Sequence, residues 1–196
     1  MPAITRDSLM TLEAYAKARK EFRAKVMAHK KGRTVHLGDH VTLLFEDELT
    51  IRYQVQEMLR IERIFEEEGI QNELDVYNPL VPDGHNWKAT MLIEYEEARA
   101  RALALSRMVG IERKVWVQVA DCDKVYAIAD EDIERTTEEK TSSVHFLRFE
   151  LTPAMIRALQ AGANVAMGVS HPNYQVDLDE IDPATRQVLV ADLRSA

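Results

Sequence analysis

The side chains in this sequence whose types and spacing could do chemistry are two carboxylates, Glu62 and Glu66, and two imidazoles, His145 and His171. In the segment TIRYQVQEMLRIERIFEEEGIQNELDVY (residues 50–77), a turn of 100° per residue gathers Ile51, Val55, Met58, Leu59 and Phe65 into one stripe. Glu62 falls in the middle of that stripe, and Glu66 lies one turn further on its flank. A carboxylate on the buried side of a helix is costly unless it is paired, protonated or bound to a metal. His145 alternates in step with Leu147 and Phe149 in SVHFLRFEL, which turns it toward a core, and His171 opens the loop HPNY. Two imidazoles with one or two carboxylates form a donor set suited to divalent iron, manganese or zinc. On that reading Glu62 is a ligand or general base, Glu66 a second ligand, and His145 and His171 complete the set. Arg63, at the edge of the stripe, would hold an anionic substrate. The competing reading makes Glu62 half of a buried ion pair with Arg19, Arg23 or Arg148, and each histidine a satisfied core residue.

Known metal and catalytic motifs do not settle the choice. The chain has no Glu-x-x-His of the di-iron carboxylate bundles and no His-Glu-x-x-His. It also lacks G-x-S-x-G, the P-loop and G-x-G-x-x-G, which removes the common hydrolase, NTPase and dinucleotide readings. A turn at Gly38-Asp39 predicts that His36 and His40 project from opposite faces of a hairpin, which argues against a joint metal site there. His29 and His85 fit surface positions. Cys122 sits between Asp121 and Asp123, whose charges disfavour a thiolate. Lys30, Lys31 and Arg33 form a weaker candidate, for anion binding.

The 196 residues carry a formal net charge of −8, distributed unevenly. Residues 1–40 hold nine Lys/Arg against four Asp/Glu, while the rest of the chain is strongly acidic. That acidic body would repel phosphates, so nucleic acid is disfavoured. The basic arm suits docking on the chain's own acidic part or on a neighbouring subunit, which makes a homodimer a candidate assembly. No apolar run approaches the roughly 20 residues that cross a bilayer, and MPAITRDSLM lacks the layout of a secretory signal. One cysteine excludes an internal disulfide framework. The expectation is a cytoplasmic protein that does not engage a membrane.

The elements that must position these groups follow from the same pattern. Thr5, Asp7 and Ser8 offer caps for a first helix that closes at Lys30, Lys31 and Gly32. RTVHLGDHVTLLFED predicts a hairpin, residues 50–68 a helix interrupted at Gly69, and Pro79 and Pro82 a break. From Trp87 on, ATMLIEY, KVWVQVA, KVYAIA, SVHFLRFEL and NVAMGV read as strands, with helices over EEARARALALSRMV, TPAMIRAL and DPATRQVLVADL. DEDIERTTEEKTS reads as a polar connection and HPNYQVDL as a loop. The prediction is a single α+β domain over residues 1–196. Its antiparallel or mixed sheet carries ferredoxin-like strand-helix-strand units (87–178), packed against an N-terminal helical and hairpin region (5–77). Residues 1–86 form the helix-hairpin-helix portion, and 87–196 the sheet portion with a C-terminal helix.

FRAKVMAHKKGRTVHLG, the long run from TLLFEDELT to NPLVPDG, and KTSSVHFLRFELTPAMI with HPNY resemble an uncharacterised bacterial family, the domain of unknown function numbered 3501. The pattern Gln-Glu-Met-Leu-Arg-x-Glu-Arg at residues 56–63 carries much of that resemblance. It implies a cytoplasmic single-domain protein. It also implies a setting beside rubrerythrin and a cysteine-rich iron–sulfur oxidoreductase, hence peroxide or redox metabolism, with the oxidoreductase or rubrerythrin as candidate partner. It brings no catalytic residues with it. Two functional expectations result: a metal-binding or redox-accessory protein, and a non-enzymatic interaction module acting as a homodimer or as a partner of the oxidoreductase.

Overall fold

The computed structural model describes residues 3–131, 135–137 and 139–194. In chain order its strands are β1 (Thr34–Leu37), β2 (Val41–Phe45), β3 (Asn86–Ile93), β4 (Val115–Val119), β5 (Val125–Tyr126), β6 (Ile128–Ala129), β7 (Val144–Glu150), β8 (Val165–His171) and β9 (Tyr174–Leu178). Its helices are α1 (Leu12–Lys31), α2 (Glu48–Glu62), α3 (Glu67–Tyr77), α4 (Ala98–Arg107), α5 (Pro153–Gln160) and α6 (Pro183–Ala191). The strands make two antiparallel sheets, ordered β1-β2-β3-β7-β6 and β5-β4-β8-β9.

Period-two alternation decides how the sheets meet. Val41, Leu43 and Phe45, then Trp87, Ala89, Met91 and Ile93, then Leu147 and Phe149, point inward from the first sheet. They share one core with Val115, Val117 and Val119 of β4 and Val165, Met167 and Val169 of β8. Helices α5 and α6 add Ile156, Leu159 and Leu189, and the indole of Trp87 donates to the Leu189 carbonyl at 3.0 Å. Pro153 at the first turn of α5 and Pro183 at that of α6 follow the caps Thr152 and Asp182.

A second, smaller core lies among the N-terminal helices: Ile51, Val55 and Leu59 of α2, Ile70 and Leu74 of α3, with Ile4, Leu9 and Val81. The Asn78 amide accepts from Ile4 N (2.8 Å) and donates to Ile4 O (2.9 Å), holding the start of the chain against the end of α3.

The α+β class stands, and several local expectations change. The strand-helix-strand units bridge the two sheets instead of joining neighbours in one: β3 and β4 flank α4, and β7 and β8 flank α5, yet each pair is split between sheets. KVYAIA divides, β5 pairing with β4 and β6 with β7. The hairpin turn is one residue longer than predicted. Leu37 faces Val41 and His36 faces Thr42, because Gly38 (φ +73°), Asp39 and His40 all belong to the loop. YQVDL, read as loop, is the edge strand β9. The predicted first-helix caps form a short 3-10 turn (Arg6–Ser8), and α1 starts after Thr11. The polar connection over 130–142 falls partly outside the described residues.

The change with most consequence is the end of α2. The helix over 50–68 stops at Glu62, where Arg63 takes a left-handed conformation (φ 55°, ψ 47°) and Ile64 N closes onto Leu59 O at 3.0 Å. The chain reverses there, which breaks the phase that linked Phe65 to the stripe; Phe65 is 67% exposed.

Candidate functional site

Glu62, the last residue of α2, lies beyond the reach of the small core and is exposed, as are Arg63 and Glu66. Its expected place at the centre of a buried stripe is therefore corrected. The acid of α2 that pairs across to α1 is Glu57. It accepts two bonds from Arg19 (2.7 and 2.8 Å) and one from the buried Tyr15 hydroxyl (2.6 Å). These donors hold the Glu57 carboxyl down at about 2, Arg19 contributing most. Arg19 thus serves Glu57, while Arg148 serves Glu131 and Glu150, and neither serves Glu62.

His145 and His171 are buried as expected, but both rings have their nitrogens engaged. His145 Nδ1 lies 2.6 Å from Asp130 Oδ2, and Nε2 lies 2.8 Å from Thr141 Oγ1 and 3.0 Å from Ser142 O. His171 Nδ1 accepts from Asn173 N at 3.2 Å, so the proton sits on Nε2, which faces the Val109 carbonyl at 3.1 Å. Glu62, Glu66, His145 and His171 are not brought together. Among the described residues no group of three or more His, Cys, Asp and Glu side chains is placed to hold a metal ion. The basic candidate at the hairpin also dissolves. Arg33 is buried and makes a bidentate pair with Asp192 (2.8 and 2.7 Å) plus a contact with Asp47 at 3.0 Å.

The site that does assemble centres on Glu46, where β2 runs straight into α2. Alternation sends Phe45 into the sandwich core and Glu46 to the opposite face of the sheet, beside Thr90. Asp47 then caps α2, its carboxylate accepting from Thr50 N at 2.9 Å. Burial would raise the Asp47 carboxyl, but Thr50 N–H, Arg33 and His29 outweigh it and hold it below its usual value. Glu46 next door is 2% exposed and makes no ion pair among the described residues. Burial pushes its carboxyl above the usual range, against the pull of Thr50, Thr90 and the more distant charge of Lys30.

Two hydroxyls and an amide serve the Glu46 carboxyl. Thr50 Oγ1 lies 2.5 Å from Glu46 Oε2 and accepts from Asp47 N at 2.9 Å, Thr90 donates to Oε1 at 2.6 Å, and the Gln54 amide lies 3.4 Å from Oε1. The Asp47 carbonyl accepts from Ile51 N at 3.1 Å. Buried polar atoms are thus satisfied without a cation in contact.

Glu46 lines an open cleft of about 610 Å³. One wall is the outward face of the first sheet, with Lys88, Phe146 and Arg148; the other is the end of α3 and the turn after it, with Val76, Tyr77, Pro79 and Leu80. The walls are mainly apolar with a few converging polar groups, the usual composition of a small-molecule site. Lys88 donates to the Pro79 carbonyl, and burial pulls its ammonium below the usual lysine value. The sequence carried one signal for this site. Val41, Leu43 and Phe45 form an inward series, which places Thr42, Leu44 and Glu46 on the other face.

Fold and site together define an α+β protein of two packed antiparallel sheets, with a ligand-sized cleft on the free face of one of them. No helix among the described residues is long and apolar enough to cross a membrane. The chain belongs to the family of proteins of unknown function DUF3501, which it matches over residues 3–193. It is similar to a protein of unknown function from Burkholderia pseudomallei K96243 whose crystal structure is known. The two share 58% identity and a TM-score of 0.94, over 98% of this chain and 100% of the other. No curated protein matches the chain significantly.

Proposed function

We propose that this protein binds a small organic molecule in the cleft above Glu46, and that Glu46 transfers a proton to or from it. The observation that carries the reading is a buried carboxyl at the wall of an apolar cleft, hydrogen-bonded to Thr50, Thr90 and Gln54 and in no ion pair among the described residues. Structural acids are normally neutralised by a cation, as Glu57 is by Arg19. A carboxyl kept protonated beside a cleft can instead act as a general acid near neutral pH. The metal-binding or redox-accessory expectation has no comparable group behind it, since the nitrogens of His145 and His171 are already engaged.

The test is a screen of small carboxylic, keto and aromatic acids by 15N–1H correlation NMR. Binders that shift the amides of Lys88, Thr90, Phe146 and Tyr77, and that are lost on Leu80→Arg, support the reading. Binders confined to surfaces away from these residues refute it.

The second reading, an interaction module, draws on the exposed Ile61 (58%) and Phe65 (67%) at the α2–α3 elbow. Acids Glu62, Glu66, Glu67 and Glu68 ring them, while α1 exposes Lys20, Arg23 and Lys25, so a second copy of the chain suits this surface in charge. Light scattering of wild type beside Phe65→Ser decides it: a dimer lost in the variant supports the module, and a monomer at all concentrations refutes it.

A further inference from the structure

Glu46, Lys88 and Arg148 form a row across three adjacent strands. Glu46 N donates to Lys88 O at 2.8 Å, so the two residues are direct partners between the end of β2 and β3. Lys88 is in register with Arg148 of β7, and all three side chains line the same cleft. Direct cross-strand partners hold their Cβ atoms about 5 Å apart. An acid, an amine and a guanidinium are thus presented side by side to whatever occupies the cleft.

The amine in the middle is the unusual member. Lys88 is half-buried, no carboxylate lies within ion-pair distance of it among the described residues, and its ammonium donates to the neutral Pro79 carbonyl. Burial favours the uncharged amine and the charge of Arg148 adds to that, against the opposing pull of Asp83, Glu131 and Glu150. A desolvated lysine beside another cation is the arrangement that activates an amine toward carbonyl carbon. Arg148 is shared between Glu131 (both bonds 2.7 Å) and Glu150 at the rim of the cleft. Glu131 is more than half exposed, and exposed pairs are weak, so an incoming carboxylate can take its place on the guanidinium.

Resting on the cleft reading above, we infer that the ligand is a 2-oxo acid and that Lys88 forms an imine with it. Arg148 takes the carboxylate, which sets the adjacent carbonyl carbon over Lys88 and the carbonyl oxygen toward Glu46. The Lys88 nitrogen lone pair attacks the carbonyl carbon while the oxygen takes the proton of Glu46. The Glu46 carboxylate then recovers a proton from the new N–H bond, giving a neutral carbinolamine. The C–O bond breaks, the leaving oxygen takes that proton and departs as water, and the nitrogen lone pair forms the C=N bond. An iminium is left beside an ionised Glu46, whose charge stabilises it. The step consumes one proton and releases one water, and it needs no oxidant or reductant.

Pyruvate and glyoxylate with cyanoborohydride test this directly, because hydride adds to the iminium carbon and fixes the adduct as a secondary amine. Intact mass and peptide mapping should place a single reduced adduct on Lys88. Lys88→Arg and Lys88→Met, each checked for folding by circular dichroism, should both lose it. Glu46→Gln should form it ~100-fold more slowly, in the range of a lost general acid. Arg148→Met should raise the pyruvate concentration needed about tenfold, the scale of a lost hydrogen bond to a charged group, a larger loss than with acetone, which has no carboxylate for Arg148 to hold. Adduct scattered over other lysines, and equal in Lys88→Arg, would overturn the inference. Pyruvate that shifts cleft amides by NMR without trapping would overturn the imine and leave the cleft reading standing. Absence of both shifts and trapping would remove the 2-oxo acid, leaving the cleft reading to its own screen.

Discussion

Glu46 and Lys88 are direct cross-strand partners, yet they do not form an ion pair among the described contacts. The Glu46 carboxyl turns to Thr50 and Thr90, and the Lys88 ammonium turns to the Pro79 carbonyl. Two opposite charges this close would ordinarily neutralise each other. Burial shifts both groups toward the uncharged form, raising the pKa of the acid and lowering that of the amine. The pairing sets an acid and an amine side by side at the wall of the cleft.

Glu46 makes stability depend on pH in a direction opposite to most carboxylates. Its folded pKa is raised, so the folded state holds a proton that the unfolded state releases. The resulting stability is fully present below the ordinary glutamate range and is lost as pH rises through the raised folded value. Within that window wild type should fall behind Glu46→Gln by about 1.4 kcal/mol per pH unit. Urea denaturation at a series of pH values measures the difference, and a constant gap from pH 4 to 9 would mean an ordinary, ionised Glu46.

Glu57 behaves conversely. Arg19, Tyr15 and Arg60 hold its folded pKa at about 2, so its contribution is complete above the ordinary glutamate value and disappears as pH falls through about 2. Glu57→Gln should cost about 2 kcal/mol at pH 7, the scale of hydrogen bonds to a charged group. That deficit should shrink as both proteins are acidified. Thermal melts at pH 7 and at pH 2.5 check both statements.

Gly168 should tolerate no side chain. It pairs with Trp116 across β4 and β8, and a Cβ there would lie 2.3 Å from the Val176 carbonyl oxygen and 2.4 Å from the Trp116 ring. Both neighbours are fixed, one as backbone of β9 and the other as a buried indole beneath Lys124 (3.5 Å to the ring centroid). Gly168→Ala should lose about 3 kcal/mol by overpacking, measured as a lower denaturation midpoint. A loss under about 0.5 kcal/mol, the level of an unconstrained surface position, would show that β9 moves away freely.

The sequence by itself determined the α+β class, the helices begun at Pro153 and Pro183, and the inward face of β7 that carries Leu147 and Phe149. Each of these is set by residues close in the chain, through alternation, capping or a fixed proline φ. It also turned His145 correctly toward the core, because Leu147 and Phe149 share its face. The reach of the core was another matter. Glu62 satisfied the helical period, but a period gives direction without distance, and the helix outruns the small core just as Arg63 reverses the chain. The partition of strands between two sheets, the pairing of Glu46 with Lys88 and Arg148, and the wall supplied by Val76 and Leu80 join segments up to 102 positions apart, as with Glu46 and Arg148. Only the packed chain decides whether such an acid meets a cation or a hydroxyl. At Glu46 it meets two hydroxyls, and that choice makes the cleft chemically distinctive.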